Sequence, residues 1–455
     1  MRTPESPRPV SASPNENADT CSGRKNRSEP ALIEQLQQPA QPVMAEKHER
    51  LHALDALRGF AMMLGVWIHA AMPYTEGLPP FFWATTEEHK SSSISISVLI
   101  IHSWRMEVFF LLSGFFTAML VARRGPQATA RHRFKRIVLP FVLSMILLQP
   151  ICAALWGWGF SVQWGTPAST SISTMLKTSW GIGVGSTPSE FGRLWHFWFL
   201  YVLIYLIAVG LVMHRLTGGM TRLKSAASSA VGWCVRSWFG VFLLAVPLFI
   251  ALWISNKPNG PDPMPSLRPV AGTLVYHALP FFAGWFLYES RPAIDTLARR
   301  CWWPLTIGLG FALPLHLYAL MRVFESGSLA DGSGGSVRMV AIACASRAVL
   351  TVGLGMGLIG IFTRILSRPG PRLTRWIRFG SDSAYWVYLV HLPLVVVLAI
   401  GMTRIDLPPE AEMLLVVLVS LITLLISYRF VVRYTPIGRL LHGLRTRRPP
   451  AQHRG

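Results

Sequence analysis

Long runs of apolar residues recur along the chain from about residue 56 onward, separated by short polar connections. Each run can cross the roughly 30 Å hydrocarbon core of a bilayer as a helix. None shows the alternation of apolar and polar positions typical of membrane strands, and an unpaired strand would leave its backbone unsatisfied in lipid. The pattern predicts ten transmembrane helices, near residues 56–72, 97–121, 137–160, 194–214, 238–254, 272–288, 302–321, 339–363, 384–401 and 411–432.

Lysine and arginine are distributed unevenly between the connections. Those after the second, fourth, sixth and eighth predicted helices, together with the chain after residue 432, carry 24 Lys/Arg and three Asp/Glu. The other five connections carry eight Lys/Arg and nine Asp/Glu. Because basic connections stay preferentially in the cytoplasm, this alternation predicts that both termini are cytoplasmic.

Composition fits a chain surrounded mainly by lipid. Of its 455 residues 51% are hydrophobic and only 14% are charged, although the formal net charge is +21. A soluble nucleic-acid-binding protein this basic would carry more charged residues overall. The excess charge lies chiefly in the connections predicted to be cytoplasmic, so it indicates topology and no nucleic-acid partner. We expect an all-α, multi-pass protein of the plasma (inner) membrane, with the lipid bilayer as a partner.

The first 50 residues are rich in Pro, Ser, Asn and Gln and poor in large aliphatic residues, as in disordered segments. No apolar stretch typical of a signal peptide is present. We therefore predict a disordered cytoplasmic arm over 1–50, a membrane domain over 51–435 and a basic cytoplasmic tail over 436–455. The five scattered cysteines include no CxxC pair, so we expect no disulfide framework and no metal site.

The first predicted helix contains two ionisable residues, Arg58 and His69, eleven positions apart. On a helix this spacing puts both on one face, about 16 Å apart along the axis. Ionisable groups inside a membrane are costly and often functional. Arg58 alone is typical of a topological anchor and His69 alone of an interfacial histidine. Together, with Asp55 one turn before Arg58, they favour a functional site.

Four further predicted helices carry polar candidates. Arg105 and Glu107, on the second helix, lie about 200° apart and do not pair with each other; Ser113–Gly114 suits either a site or close helix packing. On the fourth helix one stripe is formed by Trp195, Trp198, Tyr201 and Tyr205, and it suits either a platform for a sugar ring or an interfacial aromatic belt. His196 lies at the same external end of this helix. The eighth helix contains Arg347, which suits either an internal ion pair with Glu107 or a site, and the ninth contains His391.

The connection 122–136 contains six Lys/Arg, among them Arg133 and Arg136. Such a cluster controls topology and attracts anionic lipid. It also suits a phosphate-rich ligand, because the arginine fork matches phosphate geometry. Both interpretations stay open on the sequence alone.

Four segments resemble the acyltransferase 3 family of membrane O-acyltransferases, and its glucan biosynthesis branch most: Leu54–Gly59 with His69, Arg105–Phe116, Arg133–Pro140 and Tyr385–Pro393. They follow the family's order, and the resemblance as a whole extends over about residues 50–435. Glu107 stands where we expect proline in the glucan branch, so the acyl group and the acceptor stay open.

The resemblance implies transfer of an acetyl or succinyl group from cytoplasmic acyl-CoA to a hydroxyl of an extracytoplasmic carbohydrate or glucan. His69 would be the general base, or a covalent acyl carrier, and Arg58, fixed by Asp55, would orient the donor. The resemblance also implies that the acyl donor is bound by Arg105, Ser113, Arg133, Arg136 and His391. The acceptor would be bound by His196, Trp198 and Tyr201.

We expect no bound cofactor. The sequence shows no interface from which an oligomeric state could be inferred. The alternative class is a proton- or solute-coupled transporter, in which Arg58, His69, Arg105 and Arg347 would line the route of the solute. The chain shows no internal repeat of the kind common in transporters.

Overall fold

The computed structural model describes residues 42–79, 81–182, 191–218, 221–325, 334–367 and 369–443. The chain divides into two compact units, Met1–Lys47 and His48–Gly455. All regular secondary structure in the described ranges is helical, which confirms the predicted all-α class.

The described ranges contain fifteen α-helices, with 3₁₀ turns at Met72–Tyr74 and Trp195–Phe197 and wider π-type turns at Phe134–Val138, Thr306–Ala312 and Tyr428–Val432. The helices described are α1 (Pro42–Ala71), α2 (Ser92–Arg133), α3 (Leu139–Trp164), α4 (Ala168–Thr178), α5 (Trp198–Leu216), α6 (Thr221–Arg236), α7 (Gly240–Ile254), α8 (Ala271–Glu289), α9 (Ala293–Arg300), α10 (Trp302–Leu305), α11 (Leu313–Glu325), α12 (Gly334–Ile365), α13 (Pro371–Met402), α14 (Pro409–Ser427) and α15 (Pro436–His442).

Six helical segments of the described chain are long and apolar enough to cross a membrane: Ser92–Trp164, Trp195–Leu216, Trp302–Glu325, Val337–Ile365, Pro371–Met402 and Pro409–Val432. Helices α6 and α7 together make a possible seventh, although they meet at a bend of 120°. All ten predicted crossings overlap helices, but the number ten and the sides of the termini stay predictions.

Helix α1 begins at Pro42, inside the segment 1–50 that the sequence predicts to be a disordered arm, and the boundaries of the arm, the membrane domain and the tail stay predictions. The remainder of the arm, residues 1–41, lies outside the described residues. The predicted tail begins with the short helix α15, and residues 444–455 lie outside the described residues.

The segment Ser92–Trp164 is not one straight rod. Gly125 interrupts α2 with a φ of 77° and a ψ of 166° and is followed by Pro126. The Nη2 atom of Arg133 donates to the hydroxyl of Thr117 at 2.9 Å, although a straight helix would put these residues about 24 Å apart. The chain therefore folds back at Gly125, and the second and third predicted crossings are its two arms.

Helices α2 and α8 cross with their backbones in contact. A Cβ atom on Gly114 would lie 1.9 Å from the carbonyl oxygen of Phe281, and one on Gly284 would lie 1.8 Å from that of Leu111. Small residues at such crossings let membrane helices gain dispersion contacts that larger side chains would prevent. Gly114 therefore serves helix packing, which is one of the two interpretations that the sequence allowed for Ser113–Gly114.

We expect Gly114→Ala and Gly284→Ala each to lower the free energy of unfolding by about 1–3 kcal/mol, because either methyl group forces the two backbones apart. Thermal unfolding of the purified protein in detergent measures the effect. Gly401→Ala is the matched control, since a Cβ atom there meets nothing within 4 Å. Equal melting temperatures for all three variants would contradict the close crossing.

Candidate active site

Three histidines from separate elements share one cavity: His69 from the end of α1, His196 from the turn before α5, and His391 from α13. The rings of His69 and His391 are parallel within 3°, with centroids 4.9 Å apart. The ring of His196 stands at 80° to that of His391, at 5.0 Å. The cavity is lined by Met62, His69, Arg105, Met106, Phe109, His196, Trp198, Phe199, Tyr388 and His391.

Backbone carbonyls determine which nitrogen of His391 carries its proton. Nδ1 of His391 lies 2.7 Å from the carbonyl oxygen of Tyr388 and 3.1 Å from that of Val387. Since a carbonyl oxygen only accepts, Nδ1 is the donor, and in a neutral ring Nε2 is then an acceptor. Nε2 lies 2.8 Å from Nδ1 of His69. His69 therefore donates from Nδ1 and keeps a lone pair on Nε2.

The neutral form of this pair agrees with the charges around it. Arg105 already places a positive charge in the cavity. Within the described ranges, no carboxylate hydrogen-bonds to the rings of His69, His196 or His391. A second positive charge would therefore meet repulsion in a region of low dielectric constant. Nε2 of His69, which has no hydrogen-bond partner in the described part of the chain, is left free to accept a proton.

His196 and Tyr388 connect the turn before α5 to α13 through two hydrogen bonds. Nε2 of His196 donates to the carbonyl oxygen of Leu389 at 3.1 Å. In return, the hydroxyl of Tyr388 donates to the carbonyl oxygen of His196 at 2.8 Å. Both side chains are buried, so each bond satisfies a polar group that would otherwise be costly. The pair fixes one wall of the cavity against the helix that carries His391.

Arg105 extends from α2 toward the histidine pair because α1 has a glycine at the point of contact. A Cβ atom on Gly65 would lie 3.0 Å from Nη1 of Arg105 and 3.6 Å from Nε2 of His391. Within the described residues Nε of Arg105 is buried without a hydrogen-bond partner. The guanidinium of Arg105 therefore lies in the same cavity as the three histidine rings.

A second basic group forms on α1 and the bend of α2, apart from the residues that line the cavity. Arg58 makes an ion pair with Asp55 at 3.0 Å and lies over the ring of Phe116, 5.4 Å from its centroid. Arg133 joins this group through its bond to Thr117, one position after Phe116. The spacing of Arg58 and His69 on the helix does not bring both into one cavity.

Two predicted site residues have structural contacts of their own, and a third is buried. Nη1 of Arg136 donates to the carbonyl oxygens of Arg439 and Leu440 at 2.7 and 2.8 Å, and so holds the end of α15. The hydroxyl of Tyr201 donates to the carbonyl oxygen of Leu267. Ser113 is buried on α2. None of Arg136, Tyr201 and Ser113 lines the cavity, whereas Trp198 does.

Residues that sequence reasoning missed complete the surroundings of His69. The ring of Trp83, from the connection 75–91, lies 5.5 Å from that of His69, and nothing in the sequence marks this contact. Glu87 lies in the same connection. Burial raises the pKa of its carboxyl, and the nearby Glu412 raises it further. Tyr388 also went unassigned, although it lies within the segment Tyr385–Pro393 that carries the family resemblance. Its position three residues before His391 was the available signal.

The predicted ion pair of Arg347 with Glu107 is not formed within 4 Å among the described residues. Nη2 of Arg347 instead donates to the carbonyl oxygen of His102 at 3.1 Å, and Nη1 to the side-chain oxygen of Asn259 at 3.4 Å. Arg347 therefore joins α12 to α2 and to the connection before α8. In the described ranges, no group of three or more His, Cys, Asp or Glu residues has a geometry that could hold a metal ion.

Comparison with known proteins decides the family. The acyltransferase 3 family model, described as an acyltransferase domain, matches residues 51–432. The chain belongs to the acyltransferase 3 family. It is therefore an enzyme that transfers acyl groups, and its long apolar helices make it a multi-pass membrane protein.

Curated relatives of this acyltransferase carry a glucan-related name. Glucans biosynthesis protein C of Escherichia coli strain SMS-3-5 is 22% identical over 364 residues, which cover 76% of this chain and 82% of the relative. Proteins of the same name from E. coli O139:H28 and from strain K12 show the same identity and coverage. No solved structure matches the chain.

We expect Tyr388→Phe to lower the stability of this acyltransferase by about 1 kcal/mol and to reduce its activity, because the carbonyl of His196 loses its donor. Tyr385→Phe is the matched control: its hydroxyl lies on the same helix and has no partner among the described residues. Thermal unfolding and acyl transfer are measured for both variants. An equal loss in both would show that the bond to His196 carries no specific role.

Proposed function

We propose that this membrane acyltransferase moves an acyl group, acetyl or succinyl, from acyl-CoA to a hydroxyl of an extracytoplasmic carbohydrate or glucan. One observation carries the chemistry: a free Nε2 atom on His69 shares a cavity with the cation of Arg105. The name of the relatives supports a glucan acceptor. Acyl-CoA is the donor substrate, and no bound cofactor has a role.

His69 acts as the general base in this scheme. The hydroxyl oxygen of the acceptor attacks the thioester carbonyl carbon while Nε2 takes the hydroxyl proton. The carbon–sulfur bond then breaks, the ester forms, and the departing thiolate recovers the proton from Nε2. The products are the acylated carbohydrate and free coenzyme A thiol, so no net proton is taken up or released.

Arg105 stabilises the negative charge that appears on the carbonyl oxygen in the tetrahedral intermediate. A fixed cation in a cavity of low dielectric constant interacts with such charge far more strongly than water does. A covalent route, in which Nε2 of His69 first accepts the acyl group and then yields it to the hydroxyl, uses the same atoms. In both routes the lone pair on Nε2 is the reacting group.

The donor's phosphates lie against the basic group of Arg58 and Arg133. Arginine forks bind phosphate oxygens in pairs, and two cations held on adjacent elements form a suitable contact. Asp55 orients Arg58 through the ion pair at 3.0 Å. His196 and Trp198, which line the cavity, contact the carbohydrate acceptor.

The distribution of lysine and arginine supports the orientation in the inner membrane. With both termini cytoplasmic, the connection 122–136 and its Arg133 face the compartment that contains acyl-CoA. His69, at the opposite end of α1 from Arg58, then lies toward the side of the carbohydrate. Family membership favours this enzyme over the transporter, the alternative that the ten predicted helices also allowed.

We expect membranes containing the protein to transfer radiolabel from acyl-CoA to a periplasmic carbohydrate fraction, with acetyl- and succinyl-CoA tested separately. His69→Ala should reduce transfer by roughly 10²- to 10⁴-fold, because the base is lost. His214→Ala, at the end of α5 and outside the cavity, is the control and should keep wild-type transfer. Full activity of His69→Ala, or solute uptake without acylation, would overturn the proposal.

We expect Arg58→Ala to raise the KM for acyl-CoA by roughly tenfold, about 1.4 kcal/mol of binding free energy, with a smaller effect on kcat. Arg322→Ala is the matched control, since Arg322 makes an ion pair of the same spacing with Glu325 on α11. Initial rates over a range of acyl-CoA concentrations measure both. An unchanged KM for Arg58→Ala would contradict donor binding at this group.

A further inference from the structure

His391 occupies a place that is unsuited to binding the acyl donor, the role that its sequence suggested. Its side chain is 1% exposed. Both ring nitrogens are already used: Nδ1 donates to the carbonyl oxygen of Tyr388, and Nε2 accepts from His69. A donor could gain a polar contact with His391 only by breaking one of these bonds.

We propose that His391 is a positioning residue, which holds His69 in the tautomer and ring orientation that leave Nε2 free to react. This inference rests on the proposed function of His69. A histidine that is both general base and freely rotating would expose the wrong nitrogen for part of the time. The bond from Nδ1 of His69 to Nε2 of His391 fixes the proton and the ring together.

The geometry shows why a histidine suits this position on α13. The carbonyls of Val387 and Tyr388, one turn before His391 on the same helix, hold its proton on Nδ1 and so make Nε2 an acceptor. Since these are backbone groups of one helix, the orientation of the acceptor is set locally and does not depend on substrate.

The ring also stabilises the charged state of His69 during the reaction. When Nε2 of His69 takes the acceptor's proton, the positive charge spreads over the imidazole and strengthens donation from Nδ1. The lone pair on Nε2 of His391, 2.8 Å away, receives that stronger bond. No carboxylate in the described ranges hydrogen-bonds to His69, so the neutral ring of His391 supplies the acceptor.

Two substitutions separate positioning from donor binding. His391→Leu removes the acceptor and keeps a buried side chain of comparable bulk. His391→Gln places a side-chain oxygen near the position of Nε2, where it can accept from His69. We expect kcat to fall by roughly 10- to 100-fold in His391→Leu and to recover largely in His391→Gln, with the KM for acyl-CoA unchanged in both.

His316→Leu is the matched control. His316 is equally buried, and its Nδ1 atom also lies 3.1 Å from a carbonyl oxygen, that of Ala343, but it does not line the cavity. It should keep the wild-type kcat. A raised KM with an unchanged kcat in His391→Leu, a wild-type kcat in that variant, or no recovery with Gln would each overturn the proposal.

A second measurement does not depend on acyl transfer or on the folding of the Leu variant. Nitrogen-15 NMR of the wild-type protein labelled at histidine distinguishes protonated from unprotonated ring nitrogens, and His69→Gln assigns the His69 signals. We expect the proton on Nδ1 of His69. A proton on Nε2 of His69 would overturn the positioning role of His391. If the proton is on Nδ1 but the wild-type protein transfers no acyl group, the result counts against the proposed function alone.

Discussion

The active-site geometry depends on one continuous set of hydrogen bonds, from the carbonyl of Tyr388 through the ring of His391 to His69. A buried imidazole must satisfy both nitrogens or lose free energy, and here each bond determines the donor or acceptor role of the next. The set ends at the ring of His69, so the orientation of that ring on α1 depends on backbone carbonyls of α13.

Close packing of α2 holds the other side of the same cavity. Contact at Gly114 fixes this helix against α8, and the reversal at Gly125 returns Arg133 to the level of Thr117. One helix therefore supplies both the cation near His69, Arg105, and part of the separate basic group. Because both features involve backbone contact or backbone reversal, few side-chain adjustments could replace them.

Much of the architecture was predictable because lipid imposes a simple rule: every crossing segment must be apolar and satisfy its own backbone. The helices that overlap all ten predicted crossings follow from that rule. The same rule makes ionisable groups in a crossing costly, which is why His69 and Arg105 were candidates for a site. Arg136 and Tyr201 were assigned to binding because their residue types suit it. Their actual partners, carbonyls on α15 and at Leu267, lie far away in sequence and leave no periodic signal.

The sequence by itself determined the helical membrane class, the family and the positions of Arg58 and His69 on α1, since apolar length, charge and ordered motifs are local properties. Only the tertiary structure decided which of the polar residues meet. It separated Arg58 from the cavity, joined His391 to His69, and placed Trp83 against the same ring. These contacts depend on helix rotation and crossing, which packing at distant glycines sets and which helical periodicity leaves undefined.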